Sequence, residues 1–332
     1  MRSKRVFEIV LALLVTTSVG TRAQVNLNKL GQSTMDFLLV SVSPEASGMG
    51  EAYSAFGTGA DAMFYNPAGL AEMNTTYNAS VNFTQWIADI NYYAGAISWK
   101  IGNYGVVGVN LLSVDYGTLI GTTIDVQKGY LDTGPIPNVG AYSFGISYAK
   151  AISSQFMVGG TVKYAGQNLG VNNFVDGTSV KNDAAKLAFD IGVKYYTSFN
   201  DFRFGMAIRN FASDVTREVY AEQLPLLFTV GGAIDLMDFV DQNHDKGTAL
   251  TLAADFLHPN NYSERFNLGM EYKVLGMLAL RGGYQTNRDI QSWSAGAGFN
   301  VQVGGTAWEV NYSFSKMDVF TNVNRFSLVA SF

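Results

Sequence analysis

Few side chains in this sequence are suited to acid–base, nucleophilic or metal chemistry. Its 332 residues include two histidines and no cysteine. Without Cys there is no disulfide, no thiolate nucleophile and no Cys-type zinc site. His244 and His258 both fall in connections between the expected elements, so neither is placed in a Ser/His/Asp arrangement. Gly145-Ile146-Ser147-Tyr148-Ala149 lacks the second glycine of a nucleophile elbow and falls mid-strand, where the required turn is absent. Gly48-Met49-Gly50 lacks the third glycine and the βαβ context of a dinucleotide site. Asp241, Asn243 and Asp245 have the spacing that opens a calcium loop. However, Lys246 stands where that loop needs glycine and Leu252 where it needs a bidentate Glu, so the stretch reads as a solvated turn. The sequence gives no ground for an enzyme, a cofactor or a metal centre.

The remaining chemistry is that of charge in an apolar chain. Only 15% of residues are charged, against about 25% in soluble domains. Hydrophobic residues make up 48% and aromatics 13%, which excludes a disordered chain. With 27 acidic and 22 basic residues the net charge is −5, so no positive field exists to hold nucleic acid. A Tyr-, Phe- and Gly-rich, charge-poor composition of this kind fits an all-β chain, soluble or in an outer membrane.

The N-terminus points to export. Arg2, Lys4 and Arg5 precede an apolar run from Val6 to Val19, broken once by Glu8, and Thr21-Arg22-Ala23 is a small-x-small cleavage site. Residues 1–23 read as a secretory signal peptide. No later window offers about 18 uninterrupted apolar residues for a transmembrane helix. An exported chain without such a helix spans a membrane only as a closed barrel, because every backbone group must be paired in lipid.

Residues 74–332 carry the matching period of two. Apolar Tyr142, Phe144, Ile146 and Tyr148 alternate with Ser143, Gly145, Ser147 and Ala149. Phe266, Leu268, Met270 and Tyr272 flank Asn267, Gly269 and Glu271, and Trp308, Val310, Tyr312 and Phe314 flank Glu309, Asn311 and Ser313. The same reading places strands at 74–84, 91–101, 103–113, 140–150, 155–166, 185–198, 201–210, 226–236, 248–257, 264–273, 277–287, 290–302, 304–315 and 322–332. The even count fits a single-chain bacterial barrel. With the N-terminus in the periplasm, the long connections 114–139, 167–184 and 211–225 all fall outside, and those at 102, 151–154, 199–200, 274–276 and 303, all short, fall inside. The exception is 237–247, a longer inner segment; Ile234 to Val240, before Asp241, suits a short interfacial helix. Tyr92, Trp99, Tyr116, Tyr130 and Trp308 at strand ends suit interface girdles. Glycines at 159, 160, 231, 232, 282, 283, 304 and 305 permit local kinks in the wall.

The polar faces hold Lys100, Lys163, Asp190, Lys194, Arg203, Arg209, Asp255, Glu271, Arg281 and Glu309. A basic residue facing lipid at mid-depth costs about 2–4 kcal/mol, so these side chains must point inward or lie near the rims. They form either an internal ion-pair network that braces the barrel or a polar path for a solute. Their mixed signs favour the network.

Residues 24–73 do not alternate and are dominated by small side chains. A 14-strand barrel is too wide for its own side chains to fill, so this segment is expected to be a plug. Pro67 disfavours helix at Asn66, and Gly69 frees the chain to turn. The run FLLVSVSPEASGMGEAYSAFGTGADAMFYNPAGLAEM, residues 37–73, resembles the N-terminal signature of the PorV/PorQ family of FadL-like outer-membrane barrels. Gly48, Met49 and Gly50 match its small-residue turn, and Asn66, Pro67, Ala68, Gly69 and Leu70 its N-P-A-G-L box. FadL-type channels share the N-P-A box, and the terminal Phe332 resembles the last residue of many outer-membrane barrels.

The resemblance implies an all-β, 14-stranded antiparallel transmembrane barrel in the cell outer membrane, embedded in its lipid, with an N-terminal plug. It also implies a component of the type IX secretion system that binds translocon subunits and secreted cargo proteins. The alternative is a FadL-like channel for hydrophobic small molecules, with such a ligand or detergent in the lumen. A third reading is a structural barrel that transports nothing.

Overall fold

The computed structural model describes residues 32–125, 127–174, 178–217, 220–239, 247–288 and 290–332. The signal peptide, the first residues of the expected plug, His244 and the segment Asp241–Lys246 lie outside the described residues.

Alternating apolar and polar residues build eighteen strands, in chain order: β1 (Tyr77–Gln85), β2 (Asn91–Lys100), β3 (Val106–Asp115), β4 (Ile120–Asp125), β5 (Gly129–Pro135), β6 (Gly140–Ala151), β7 (Phe156–Asn173), β8 (Ser179–Tyr196), β9 (Arg203–Phe211), β10 (Val215–Arg217), β11 (Tyr220–Glu222), β12 (Leu227–Asp235), β13 (Ala249–Pro259), β14 (Arg265–Val274), β15 (Leu278–Gln285), β16 (Gln291–Val303), β17 (Thr306–Met317) and β18 (Val323–Ser331). Fourteen of them close into one antiparallel barrel in which β18 pairs back onto β1; β4–β5 and β10–β11 form two separate hairpins. All fourteen wall strands occupy the stretches expected from periodicity.

Closure removes both sheet edges, so the backbone of the wall is paired all round. Parity then sorts the side chains. Ile97, Ile146, Ile191, Val310 and Leu328 face outward and are exposed, whereas Ser98, Ser147, Asp190, Asn311 and Ser327 face inward and are buried. An apolar exterior around a polar interior is the inverse of a soluble sandwich and suits hydrocarbon outside. At the short-turn end, Tyr77 stacks with Trp99 and Phe332 across the closure seam, and Phe332 and Tyr77 exchange backbone hydrogen bonds.

The structure corrects several expectations. The stretch 114–139 contains the β4–β5 hairpin and 211–225 the β10–β11 hairpin. β7 and β8 run on through most of 167–184, because the polar strand formers there keep pairing beyond the wall. Tyr92 is not part of a girdle. It is 3% exposed and faces inward, since Tyr93 takes the outer face at 50%. Tyr116 is half-buried beside the interior cluster, and Tyr130 lies on the β5 hairpin, outside the wall. Residues 227–235 are strand, followed only by a 3-10 turn at Met237–Phe239 rather than a helix from 234 to 240. His258 lies within β13, exposed, its Nδ1 3.3 Å from Glu264.

A charge placed on the outer face tests the lipid assignment. Ile146 is central in β6 and 57% exposed. Ile146→Arg should lower the unfolding free energy in bilayers by about 2–4 kcal/mol, and Ile146→Leu should leave it nearly unchanged, as read by urea unfolding of vesicle-inserted protein.

Candidate functional site

The candidate site is the lumen, and residues 33–73 fill it. The segment is a chain of short turns: 3-10 helices at Asp36–Leu39, Ala60–Phe64 and Pro67–Glu72, and one α-helical turn at Pro44–Gly48. Pro44 and Pro67 both open their turns, where a missing N–H costs nothing. Asn66 caps the last turn by accepting the Ala68 N–H at 3.1 Å.

The wall meets this segment with glycine. Gly159 and Gly192 are paired across β7 and β8. A Cβ on Gly159 would lie 2.5 Å from the Pro67 carbonyl carbon, and one on Gly192 1.9 Å from Asn66 Oδ1. Gly205 and Gly231 are paired across β9 and β12, and a Cβ on Gly205 would lie 2.2 Å from Ser54 O. Gly269 and Gly283 are paired across β14 and β15. A Cβ on Gly269 would lie 2.4 Å from Met49 O, and one on Gly283 2.0 Å from Gly50 N. Gly50 itself has φ +61° and no room for a side chain, and Gly48 abuts Gly296. Three cross-strand glycine pairs thus let the segment's backbone lie directly on the wall.

The expected motif residues are therefore seated at these points: Gly48, Met49 and Gly50 on the β14–β16 side, Asn66, Pro67 and Ala68 on the β7–β8 side. Gly69 does not serve as a free turn; a Cβ there would lie 2.3 Å from Gly57 O, so it permits close packing within the segment. Leu70 is buried with Met63, Met73 and Val106. The wall glycines at 159, 231 and 283 are seats rather than kinks. Gly304 and Gly305 form the β16–β17 turn with positive φ.

Inward charges supply the hydrogen bonds that irregular backbone needs. Asp255 accepts the Tyr53 and Ser54 N–H groups at 3.0 and 2.9 Å and the Ser54 hydroxyl at 2.7 Å. Lys194 donates to Gly57 O at 3.1 Å and pairs with Glu72 at 2.6 Å. Arg203 donates to Ala55 O at 3.2 Å, Arg209 to Phe64 O, and Lys100 to Met73 O at 2.7 Å. Arg281 bonds Glu271 at 2.7 Å and Glu45 at 2.9 Å, with Glu309 at 3.5 Å. Lys163 and Asp190 pair within the wall at 2.8 Å. Beside them Asp190 also accepts the Asn210 N–H at 2.7 Å, where β8 and β9 shift register. The ten expected inward charges form a network that fastens the segment as much as it braces the wall.

Inside the segment, burial raises the pKa of Asp61 despite hydrogen bonds from Ser80 and Asn82. Burial likewise pushes the Tyr65 hydroxyl up to about 12. Tyr65 stays protonated and accepts the Val42 and Ser43 N–H groups at 3.2 and 3.0 Å.

Toward the long-connection end the interior becomes apolar. Phe37 and Val42 of the segment pack with Leu112, Val114, Ala165 and Ala188 of the wall, under Val215 and Leu224. Beside this cluster lies a cavity of about 30 Å³ between Leu38, Val40, Phe64 and the Lys163–Asp190 pair. A second, of about 20 Å³, lies between Leu39, Tyr65 and Asp255. Each holds a water or two, far below the roughly 150 Å³ of a benzene-binding cavity. A larger apolar concavity, about 710 Å³, lies on the outer surface over Gly232, Ala254 and Gly282.

Neither a family model nor a curated protein matches the sequence. Solved structures do. The toluene transporter TbuX of Ralstonia pickettii superposes with a TM-score of 0.58 at 16% identity, over 89% of this chain and 98% of that one. The toluene transporter TodX of Pseudomonas putida gives 0.57 at 12% identity, over 86% and 96%. A FadL homologue of Pseudomonas aeruginosa gives 0.55 at 13% identity, over 88% and 98%. This is a FadL-like barrel. At such identities the likeness is one of fold.

Sequence reasoning located the segment and the inward charges but missed their reciprocal partners. Gly192, Gly205 and Gly269 sit at inward parity in their strands, and that parity was the available signal. Arg325, opposite in parity to Phe326 and Leu328, was legible by the same rule.

Adjacent glycines of β15 give an internal control. Gly283→Val should dislodge the segment at Gly50 and destabilise the barrel by about 1–3 kcal/mol, with faster proteolysis between residues 33 and 73. Gly282→Val, which meets nothing within 4 Å, should match the parent in both measurements.

Proposed function

We propose that this chain is an outer-membrane barrel that binds and passes small hydrophobic molecules, and that residues 33–73 are its plug. The observation that carries this reading is the packed apolar cluster of Phe37, Val42, Leu112, Val114, Ala165 and Ala188 inside the lumen. A barrel needs no apolar interior to be stable in lipid, and a water-filled pore is polar. The monoaromatic cargo named for the neighbouring structures suits such a lining.

The structure is a closed form, since the cavities beside the cluster admit only water-sized occupants. The pattern of the plug's fastening supports a yielding point before Ser41. From Ser41 onward it is held by buried side chains of the wall, beginning with Arg325 on Ser41 O at 2.9 Å. In the turn Phe37–Val40, the Val40 N–H bonds only Phe37 O at 3.4 Å, and Leu38, Leu39 and Val40 are half-buried beside the two cavities. A shift of Leu38–Val40, between the anchors at Asp36 (Ser33 and Asn261) and at Ser41, would join the apolar cluster and the two cavities.

A second reading, binding of type IX translocon subunits or cargo, is favoured by the motif of residues 37–73 and by the β4–β5 hairpin. Ile124, Tyr130 and Leu131 are exposed there, away from the barrel sheet. Mild-detergent purification from native membranes separates the two: recovery of secretion subunits supports the second reading, recovery of the barrel alone counts against it.

The channel reading predicts that cells dependent on this barrel take up toluene faster than cells without it. Ala165→Trp, which takes the space an incoming ligand would need beside Phe37 and Leu112, should return uptake to the level of cells lacking the barrel when the two are compared at matched folded yield. Equal uptake with and without the barrel would refute the reading.

A further inference from the structure

The two ends of the segment 33–73 lie at opposite ends of the barrel. β1 starts from the short-turn end, where Tyr77 meets Phe332. The last residues of the segment are fixed at that same end. Lys100, which ends β2, donates through Nζ to Met73 O at 2.7 Å and through its N–H to Thr76 O at 2.9 Å. Tyr196, which ends β8, donates to Glu72 at 3.1 Å. Both strands run from there into short connections.

The start of the segment meets the other end. Ser33 forms a parallel bridge with Gln223, and the Thr34 N–H bonds Gln223 O at 2.9 Å. Gln223 follows β11 in the long connection between β9 and β12. Asn261, in the connection from β13 to β14, donates to Ser33 Oγ at 2.6 Å and to Asp36 Oδ1 at 3.0 Å. Because the wall strands alternate in direction, both of these connections leave the barrel opposite Tyr77. Gln32 is exposed there. A segment that crosses the lumen and feeds β1 at one end has to enter at the other.

Short turns face the periplasm in outer-membrane barrels, and long connections face the cell exterior. We propose that the amino-terminal end of the segment, at Gln32 and Ser33, is presented at the cell surface, so that a protein engaging this end approaches from outside the cell and not from the periplasm. Gln223 and Asn261 are the positioning residues that hold it on the outer rim. The expectation of a periplasmic N-terminus then holds for the start of β1 and is reversed for the start of the segment. This inference rests on the outer-membrane placement of the barrel and is independent of what the lumen passes.

The chain has no cysteine, so one introduced thiol reports one position. Gln32→Cys, Lys128→Cys in the β4–β5 turn and Asn103→Cys in the β2–β3 turn each replace an exposed residue of the full chain. A maleimide carried on a polymer too large to cross the outer membrane should label Gln32→Cys and Lys128→Cys on intact cells. It should label Asn103→Cys only after the membrane is disrupted. An epitope inserted ahead of Gln32 gives a second reading, and antibody should bind it on intact cells. Protection of both Gln32→Cys and the epitope until disruption would overturn the proposal, as would labelling of Asn103→Cys in place of Lys128→Cys on intact cells. Toluene uptake is not part of the readout, so either result leaves the channel reading to its own test.

Discussion

The width of the closed wall governs everything else in this structure. Fourteen antiparallel strands enclose more space than inward side chains can span. In lipid the wall cannot collapse to remove it, because each strand is locked to two neighbours. The chain fills the space with residues 33–73, and irregular backbone in a low-dielectric interior needs a partner for every amide and carbonyl. The composition of the inner wall follows from that need. Glycine pairs stand where backbone meets backbone, and Asp255, Lys194, Arg203, Arg209 and Lys100 stand where the segment's peptide groups must be satisfied.

This division of labour is uneven along the segment. Between Ser41 and Met73, ionic and polar bonds from many strands hold it. The preceding turn is apolar from Phe37 to Val40 and rests against an apolar patch of wall, with Asp36 at its start bonded to Ser33 and Asn261. Buried ion pairs are costly to break because each leaves an uncompensated charge, whereas apolar contacts slide at small cost. The segment is thus anchored more densely after Ser41 than in the turn before it, a difference set by chemistry rather than by length. Charges that looked like a candidate solute path are committed to the densely anchored part.

The two faces of the wall also explain its glycines. On β12 and β15 adjacent glycines point to opposite sides: Gly231 and Gly283 receive the segment, while Gly232 and Gly282 leave an apolar hollow outside. The wall there is little thicker than its backbone. Closure itself concentrates on β18, where Tyr77 and Phe332 exchange backbone hydrogen bonds and Arg325 joins wall to segment.

The fourteen wall strands were legible in the sequence because a period of two in apolar residues follows from one physical fact, lipid on one face and polar lumen on the other. The same parity placed Asp190, Lys194 and Asp255 inside. It did not find the β4–β5 and β10–β11 hairpins, which stand outside the wall and carry no such alternation. It misplaced Tyr92, since an aromatic at a strand end belongs to either face until register decides. The small-residue segment announced close packing through Gly48, Gly50, Asn66 and Pro67, but not against what. Pairing Gly159 with Gly192, or Arg325 with Thr84 and Ser313, depends on strands far apart in the chain coming into register. Local sequence encodes which face a residue takes. Only closure of the barrel decides which residues share that face, because the contact is made by strand pairing across the whole chain.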